Sequence, residues 1–188
     1  MAVGLVSTGV QFPDSTIQTT AASASALVLV NSQSLSGASS YTITTGFSST
    51  YDDYFFILTV TPSVSGTDIN ARLRKGTTVL SSNYDDKGAY AFGGSLVILG
   101  SYSNFIPMIN STAGGQSASV YGYLINVNST AASAQSLFMN SLTVGPGSFA
   151  DYVLIGGSNA SAGAVTGIHF YISAGSFTGT FKLYGVAK

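Results

Sequence analysis

The stretch that decides the fold is residues 69–74, which read Ile69-Asn70-Ala71-Arg72-Leu73-Arg74. Apolar and polar side chains alternate at every position, and successive side chains of a β-strand point to opposite faces of its sheet. The pattern therefore predicts a strand with its apolar side chains against a core and its asparagine and arginines facing outward. Residues 168–172 repeat the pattern, with His169 and Tyr171 on the face opposite an Ile-Phe-Ile stripe.

Further strand-like runs, separated by turns, continue over most of the chain. Clusters of Gly, Ser, Asn and Pro separate the strand-like runs. Those runs lie near residues 26–30, 41–46, 54–61, 69–74, 95–99, 118–127, 135–144, 152–156, 165–172 and 178–186. The run 54–60 is apolar in both of its alternating sets, which predicts a strand covered on both faces. We predict an all-β domain over residues 26–188, an antiparallel two-sheet sandwich with a jelly-roll-like arrangement.

The composition agrees with strands and limits the possible partners. Only 7% of the 188 residues are charged, against roughly 25% in an average domain, and the chain has no Glu but 30 Ser and 19 Thr. A surface with so few charges repels other copies of the protein only weakly. We therefore expect much of this surface to be covered by partner molecules. The net charge of −1 with dispersed bases argues against nucleic-acid binding. No apolar run approaches the ~20 residues of a membrane span, so we expect no membrane insertion.

Residues 1–25 differ from the rest of the chain. A short apolar stretch leads into a Pro-Asp-Ser turn and a Thr-rich extended piece, followed by a run of small residues. This segment cannot build a core of its own, so we predict an extended N-terminal arm that lies against another molecule. Its candidate assembly residues are Phe12, Pro13, Asp14 and Ile17.

The inventory of reactive groups predicts no enzyme. His169 is the only histidine and the chain has no cysteine, so neither a histidine cluster nor a thiolate site for a metal can form. A Ser-His-acid group would have to include His169, and no nucleophile elbow is present. Adjacent aspartates point to opposite faces of an extended chain, which favours a role in turns. We therefore expect no catalytic residues, metal or cofactor.

Aromatic residues in a Gly/Ser/Asn-rich stretch, which we expect to include long loops, are the candidate ligand site. Tyr rings stack on sugars while carboxylates and amides bind the sugar hydroxyls. The alternative is that these rings cover the end of the sandwich or a subunit interface. The candidate ligand residues, with the further aromatic Phe92 beside them, are Tyr84, Asp85, Asp86, Tyr90 and Tyr102.

Three segments carry a resemblance to known proteins. Residues 9–22, with Phe12-Pro13-Asp14-Ser15-Thr16-Ile17-Gln18-Thr19 at their centre, resemble a Phe-Pro-Asp-Gly-Thr-x-Gln-Thr pattern of bacteriophage tail-fibre and virion proteins. Ser15 stands where that pattern has glycine. Residues 47–54 followed by 71–74 are a second likeness, and residues 167–170 through 179–186 are a third. In this order along the chain they resemble β-sandwich virion proteins.

The resemblance implies a structural component of the virion, often trimeric. We expect a homotrimeric fibre- or adhesin-type protein that attaches to other virion proteins through its arm and contacts a host-surface glycan. A capsid decoration protein remains an alternative within the same class. A free-standing carbohydrate-binding module is an alternative from a different class. The resemblance implies no catalytic residues.

Overall fold

The computed structural model describes residues 4–6, 9–11, 17–18, 26–92, 95–99, 104–112, 114–132, 135–144 and 150–188. The described residues contain sixteen strands and no helix. The first eight strands are β1 (Gly4–Val6), β2 (Gly9–Gln11), β3 (Ile17–Gln18), β4 (Leu27–Ala38), β5 (Ser40–Ile43), β6 (Tyr54–Pro62), β7 (Thr67–Lys75) and β8 (Thr78–Val79). The others are β9 (Tyr84–Phe92), β10 (Ser95–Leu99), β11 (Ile106–Thr112), β12 (Ala118–Ile125), β13 (Ser136–Val144), β14 (Ala150–Asn159), β15 (Val165–Ile172) and β16 (Phe177–Val186).

Strands β4–β16 form two antiparallel sheets. The larger sheet has the order β10-β9-β14-β13-β12-β6-β16-β4, and the smaller has the order β11-β7-β15-β5 with β8 paired to β7. Their inward faces pack together, as in a β-sandwich. The predicted all-β, antiparallel two-sheet sandwich is confirmed.

The core follows from the alternation in the sequence. Buried and exposed residues alternate without exception along β12, and the same period governs β16 up to its last residues. Phe170 of the smaller sheet meets Phe56 and Phe181 of the larger one, with ring centroids 6.5 Å and 5.3 Å away. Each buried ring contributes roughly 1.5–3 kcal/mol through burial alone. The side chains of His169 and Tyr171 are half-buried on the outward face of β15, as predicted.

Gly122 allows strands β12 and β13 to approach each other closely in the larger sheet. It occupies a buried position of β12, and a Cβ atom there would lie 2.3 Å from the carbonyl oxygen of Phe138 on β13. Only a residue without a side chain fits at that distance. The glycine therefore keeps β12 and β13 in register between two outward-facing tyrosines, Tyr121 and Tyr123.

Two predictions about the strands need correction. The prediction of long loops around residues 84–92 is wrong, because these residues form β9, and β11 was not predicted at all. The prediction that 54–60 is covered on both faces is also wrong, because one face of β6 is fully buried and the other is half-buried. The half-buried Phe55 ring packs against the rings of Tyr123 and Tyr184 on its own sheet, and Ile57 is the cross-strand partner of Tyr121. Among the described strands, none forms a second layer over these side chains.

The N-terminal segment contains a small sheet of its own. Within residues 1–25 the described strands β1, β2 and β3 pair antiparallel with one another, and Ile17 pairs with Gln11. The described part of the predicted arm therefore consists of short extended strands that form an antiparallel meander. Phe12, Pro13 and Asp14 lie outside the described residues. Attachment through this segment stays a prediction.

Candidate functional site

Tyr84 belongs to the core and not to a ligand site. Its side chain is 5% exposed. Its hydroxyl accepts a hydrogen bond from the backbone N–H of Leu73 at 2.7 Å and donates to the carbonyl of Leu80 at 3.2 Å. Burial raises the pKa of Tyr84 to about 12. The ring is unavailable for stacking on a sugar, which corrects the sequence prediction for this residue.

The other predicted ligand residues do not converge either. Asp85 and Asp86 point to opposite faces of β9: the first is exposed and lies 3.4 Å from the Lys87 ammonium, and the second is buried. Tyr102 and the side chain of Tyr90 lie outside the described residues. Asp85 is thus the one predicted ligand residue whose described side chain reaches solvent.

The segment around Tyr54 closes the edge of the sandwich. The Tyr54 hydroxyl accepts from the Ser48 N–H at 2.8 Å and donates to the Ser48 carbonyl at 3.1 Å. The Asp53 carboxylate accepts from the backbone N–H of Asn126 at 2.7 Å. A hydrogen bond from Asn128, and then one from Lys188, lowers the pKa of the Asp52 carboxyl. These contacts give the segment a structural role.

The described residues show no cluster of metal ligands, and the cavity found among them is small. They contain no group of three His, Cys, Asp or Glu side chains placed to hold a metal ion. A surface cavity of about 150 Å³ lies between residues 47–49 and 164–166, well below the roughly 300–1,000 Å³ of drug-sized ligand pockets. No described helix is long and apolar enough to span a membrane.

The most unusual surface is the outward face of the larger sheet. Strand register places one large side chain from each of five adjacent strands side by side. We call this set the aromatic row; it consists of Leu29, Tyr184, Phe55, Tyr123 and Phe138. The Phe55 ring lies 5.1 Å from the Tyr123 ring and 6.0 Å from the Tyr184 ring, measured between centroids. The rings therefore form one continuous surface.

The aromatic row is exposed to solvent. Leu29, Tyr123 and Phe138 expose 53%, 41% and 41% of their surface. Flanking apolar residues on the same face include Tyr121 at 49% and Ile125 at 42%. With about 200 Å² for a large side chain, these residues together with Leu27 leave about 500 Å² of apolar surface in water. A patch of this size on a monomer often marks an interaction site.

The rest of this face is polar but almost uncharged. Beyond the aromatic row, hydroxyls line the strands, with Thr61 and Ser117 oxygens 2.9 Å apart and Thr59 and Ser119 oxygens 3.4 Å apart. Across β13, β12, β6, β16 and β4, Lys182 is the only charged residue. Apart from Lys182, the face therefore presents no charge that would need to be paired at an interface.

His169 lies on the outward face of the smaller sheet. Its Nδ1 atom is 2.8 Å from the Thr42 hydroxyl oxygen, and its ring stacks on that of Tyr171 with centroids 5.8 Å apart. Burial, and secondarily the Arg72 charge, lower the pKa of His169, so the imidazole is neutral at pH 7. This environment supports the interpretation of an ordinary hydrogen-bonded histidine.

Sequence reasoning missed the aromatic row because the row exists only after register is known. Its members come from residues 29 to 184, and each one alone reads as a normal outward aromatic or leucine on a strand. The apolar outward set of β6 was a usable signal, but it was interpreted as a second buried face. Alignment of five strands turns those separate residues into a surface.

Comparisons with known proteins add the following. No protein-family model and no curated protein matches the chain. Among solved structures, the chain is similar to the crystal structure of Caenorhabditis elegans galectin LEC-6, at 10% sequence identity and a TM-score of 0.36, over 81% of this chain and 95% of that chain. At that TM-score the similarity carries no argument about function.

Proposed function

We propose that the protein is a non-enzymatic structural component of a bacteriophage particle, in which copies of the sandwich associate through the aromatic row. The observation that carries the proposal is the exposed aromatic row on a chain with only 7% charged residues. The three segments that resemble virion proteins support the location. In this proposal residues 1–25 attach the sandwich to other virion proteins.

The occupant that fits the aromatic row best is a second copy of this chain. About 500 Å² of exposed apolar surface, extended by the hydroxyl-lined part of the same face, approaches the roughly 800 Å² that each partner contributes to a standard interface. Because Lys182 is the single charge on these five strands, another copy can pack against this surface with little burial of like charges. Hydroxyls at the edge then hydrogen-bond across the interface or to water, as in the polar rim of known interfaces.

The oligomer that we propose is the homotrimer implied by the resemblance. From Leu29 to Phe138 the aromatic row crosses four inter-strand spacings, or about 19 Å. A surface of that width can contact two neighbours at once, which a three-fold arrangement requires. A two-fold arrangement would instead place the row against itself.

A carbohydrate-binding module is the second candidate, because exposed Tyr rings can stack on sugars. The surroundings of the aromatic row favour assembly over this function. A sugar site combines its rings with polar groups that bind the hydroxyls, whereas the row is flanked by the aliphatic side chains of Ile57 and Ile125 and continues into Leu29. Binding of neutral glycans by an isolated monomer would support the module instead.

The test of assembly is the mass of the purified protein in solution. We expect native mass spectrometry and sedimentation at about 1–100 µM to give a trimer for the unmodified chain. Tyr123→Glu should give a monomer with an unchanged far-UV spectrum, because it places a charge in the centre of the apolar interface. The control Thr77→Glu adds the same charge at an exposed turn residue and should remain a trimer.

The possible outcomes separate assembly from location. A stable monomer of the unmodified chain at 100 µM, or an oligomer unaffected by Tyr123→Glu, would contradict assembly through the aromatic row. Antibody labelling of particles of the phage that encodes the chain tests the location separately. Label on the tail favours a fibre, label over the capsid favours decoration, and absence of the chain from purified particles contradicts the virion role.

A further inference from the structure

A second cluster lies on the outward face of the smaller sheet. Register places Arg72 of β7 beside His169 of β15, which in turn lies beside Thr42 of β5. Tyr171 follows on the same face of β15, and the Phe105 ring packs edge-on against it at 6.3 Å. A cation, an imidazole, a hydroxyl and aromatic rings thus meet on a partly exposed surface remote from the aromatic row.

The guanidinium of Arg72 is held in place on two sides. Its Nε–H donates to the carbonyl of Asn104 at 2.9 Å, and its Cζ atom lies 4.7 Å from the centroid of the Tyr171 ring. A guanidinium has five N–H donors in a rigid plane, and the Asn104 carbonyl uses one of them. Arg72 is therefore oriented before any ligand arrives, which reduces the entropy lost on binding.

The cluster is positively charged without a carboxylate partner in the described structure. Neither of the ion pairs Lys87–Asp85 and Lys188–Asp52 of the described residues includes an arginine. Arg74 lies two residues further along the same face of β7, with its Nη1 atom 3.2 Å from the Thr166 hydroxyl. With Asp68 near the other end of the same face of β7, the outward side of this strand carries two arginines and one aspartate.

We infer that this face binds an acidic saccharide, with the Arg72 guanidinium holding the sugar carboxylate. The planar donors of arginine match a carboxylate in a two-bond geometry that lysine does not reproduce. The Thr42 hydroxyl and the His169 Nδ1 atom bond to each other at 2.8 Å, which leaves a lone pair of the Thr42 oxygen and the His169 Nε2 atom to bind sugar hydroxyls. This inference does not depend on the proposed virion assembly, because it uses the other sheet.

The test is a titration of the full-length protein with defined saccharides. Trigalacturonate and sialyllactose are the carboxylated probes, lactose is the neutral probe, and lactose 3′-sulfate carries a sulfate in place of a carboxylate. We expect calorimetry or NMR to detect both carboxylated probes, with binding at least about tenfold weaker for lactose. Affinity should fall as salt rises, because the recognised groups are charged and partly exposed.

Variants separate recognition from stability. Arg72→Gln should abolish binding and Arg72→Lys should weaken it at least about tenfold although the charge is kept. Lys87→Gln makes the same charge change at an exposed position of the larger sheet and should bind as the unmodified chain does. Should Arg72 variants fail to fold, Thr42→Val replaces them, because it removes a hydroxyl at an exposed position, and it should weaken binding severalfold.

Three results would overturn the inference. They are no detectable binding of either carboxylated probe at 10 mM, equal binding of lactose, and full binding by a folded Arg72→Gln or Thr42→Val variant. Stronger binding of the sulfated than of the carboxylated sugars would contradict the assignment of a carboxylate. Monomeric protein that still binds the probes would support this inference while contradicting the proposed trimer.

Discussion

Removal of a single oxygen atom tests the interior role of Tyr84. In Tyr84→Phe the ring stays in the core, but the hydroxyl that bonds the Leu73 N–H and the Leu80 carbonyl is lost. The Leu73 N–H then remains buried without that acceptor, which costs about 1–3 kcal/mol. We expect the free energy of unfolding at pH 7 to fall by that amount.

The pH dependence provides a second, independent signature of the same substitution. The pKa of Tyr84 is raised to about 12 in the folded protein, against about 10 in the unfolded chain. Between these values the unfolded chain releases the proton first, so the stabilisation is complete below pH 10 and is lost as the pH rises towards 12. Two pKa units correspond to about 2.7 kcal/mol. The difference between the two proteins should therefore shrink as the pH rises above 10.

The assay is urea unfolding followed by far-UV circular dichroism at pH 7, 9, 10 and 11. The other tyrosines are present in both proteins, so their titration cancels in the difference. A Tyr84→Phe protein as stable as the unmodified chain at pH 7 would refute the hydrogen-bond argument. A constant difference from pH 7 to pH 11 would refute the assignment of the raised pKa to Tyr84.

Two further substitutions test the packing of the sandwich. Gly122→Ala should lower the free energy of unfolding by roughly 3 kcal/mol or more. The control Gly156→Ala should be tolerated, because its Cβ would meet nothing closer than 3.9 Å. Thermal unfolding of both variants tests this difference, and equal melting temperatures would contradict it. Lys75 donates a hydrogen bond to Gln135 at 2.8 Å, and burial lowers the pKa of its ammonium group. Lys75 therefore loses its proton at a lower pH in the folded chain than in the unfolded chain, so the free energy of unfolding should rise as the pH approaches 10.5. Lys75→Met should remove that rise in unfolding experiments at pH 7 to 10, and an unchanged rise would show that another group causes it.

The fold was predictable because strand alternation is a local property. The alternation at 168–172 correctly assigned which side chains face the core, and the bounds of β15 agree with the prediction to the residue. The alternation at 69–74 did the same except at Asn70, which was predicted to face outward and is buried. β9 escaped detection since its sequence, Tyr84 to Phe92, mixes charged residues, glycine and alanine. Its neighbours β14 and β10 hold that sequence in a strand through ladder hydrogen bonds, and tertiary pairing of this kind overrides local propensity.

The candidate sites were less predictable because they depend on register between distant residues. Tyr84 and Asp86 share a polar, aromatic neighbourhood in the sequence, yet β9 turns both towards the interior. Arg72 and Tyr171 are far apart in the chain, and the pairing of β7 with β15 brings them together. A sequence pattern reports the face on which a residue lies, whereas a site requires knowledge of which strands are adjacent.

The two faces of β6 show how a correct observation can support a wrong interpretation and still point to function. Both alternating rows of side chains along β6 are indeed apolar, and from the sequence alone we explained this by a layer of the same chain on each face. The structure leaves Phe55 and Ile57 half-buried among outward aromatic side chains, and no described strand of the chain forms a second layer over them. In the assembly that we propose, a neighbouring copy would cover this second face, and the apolar outward side chains of β6 are what such a contact requires.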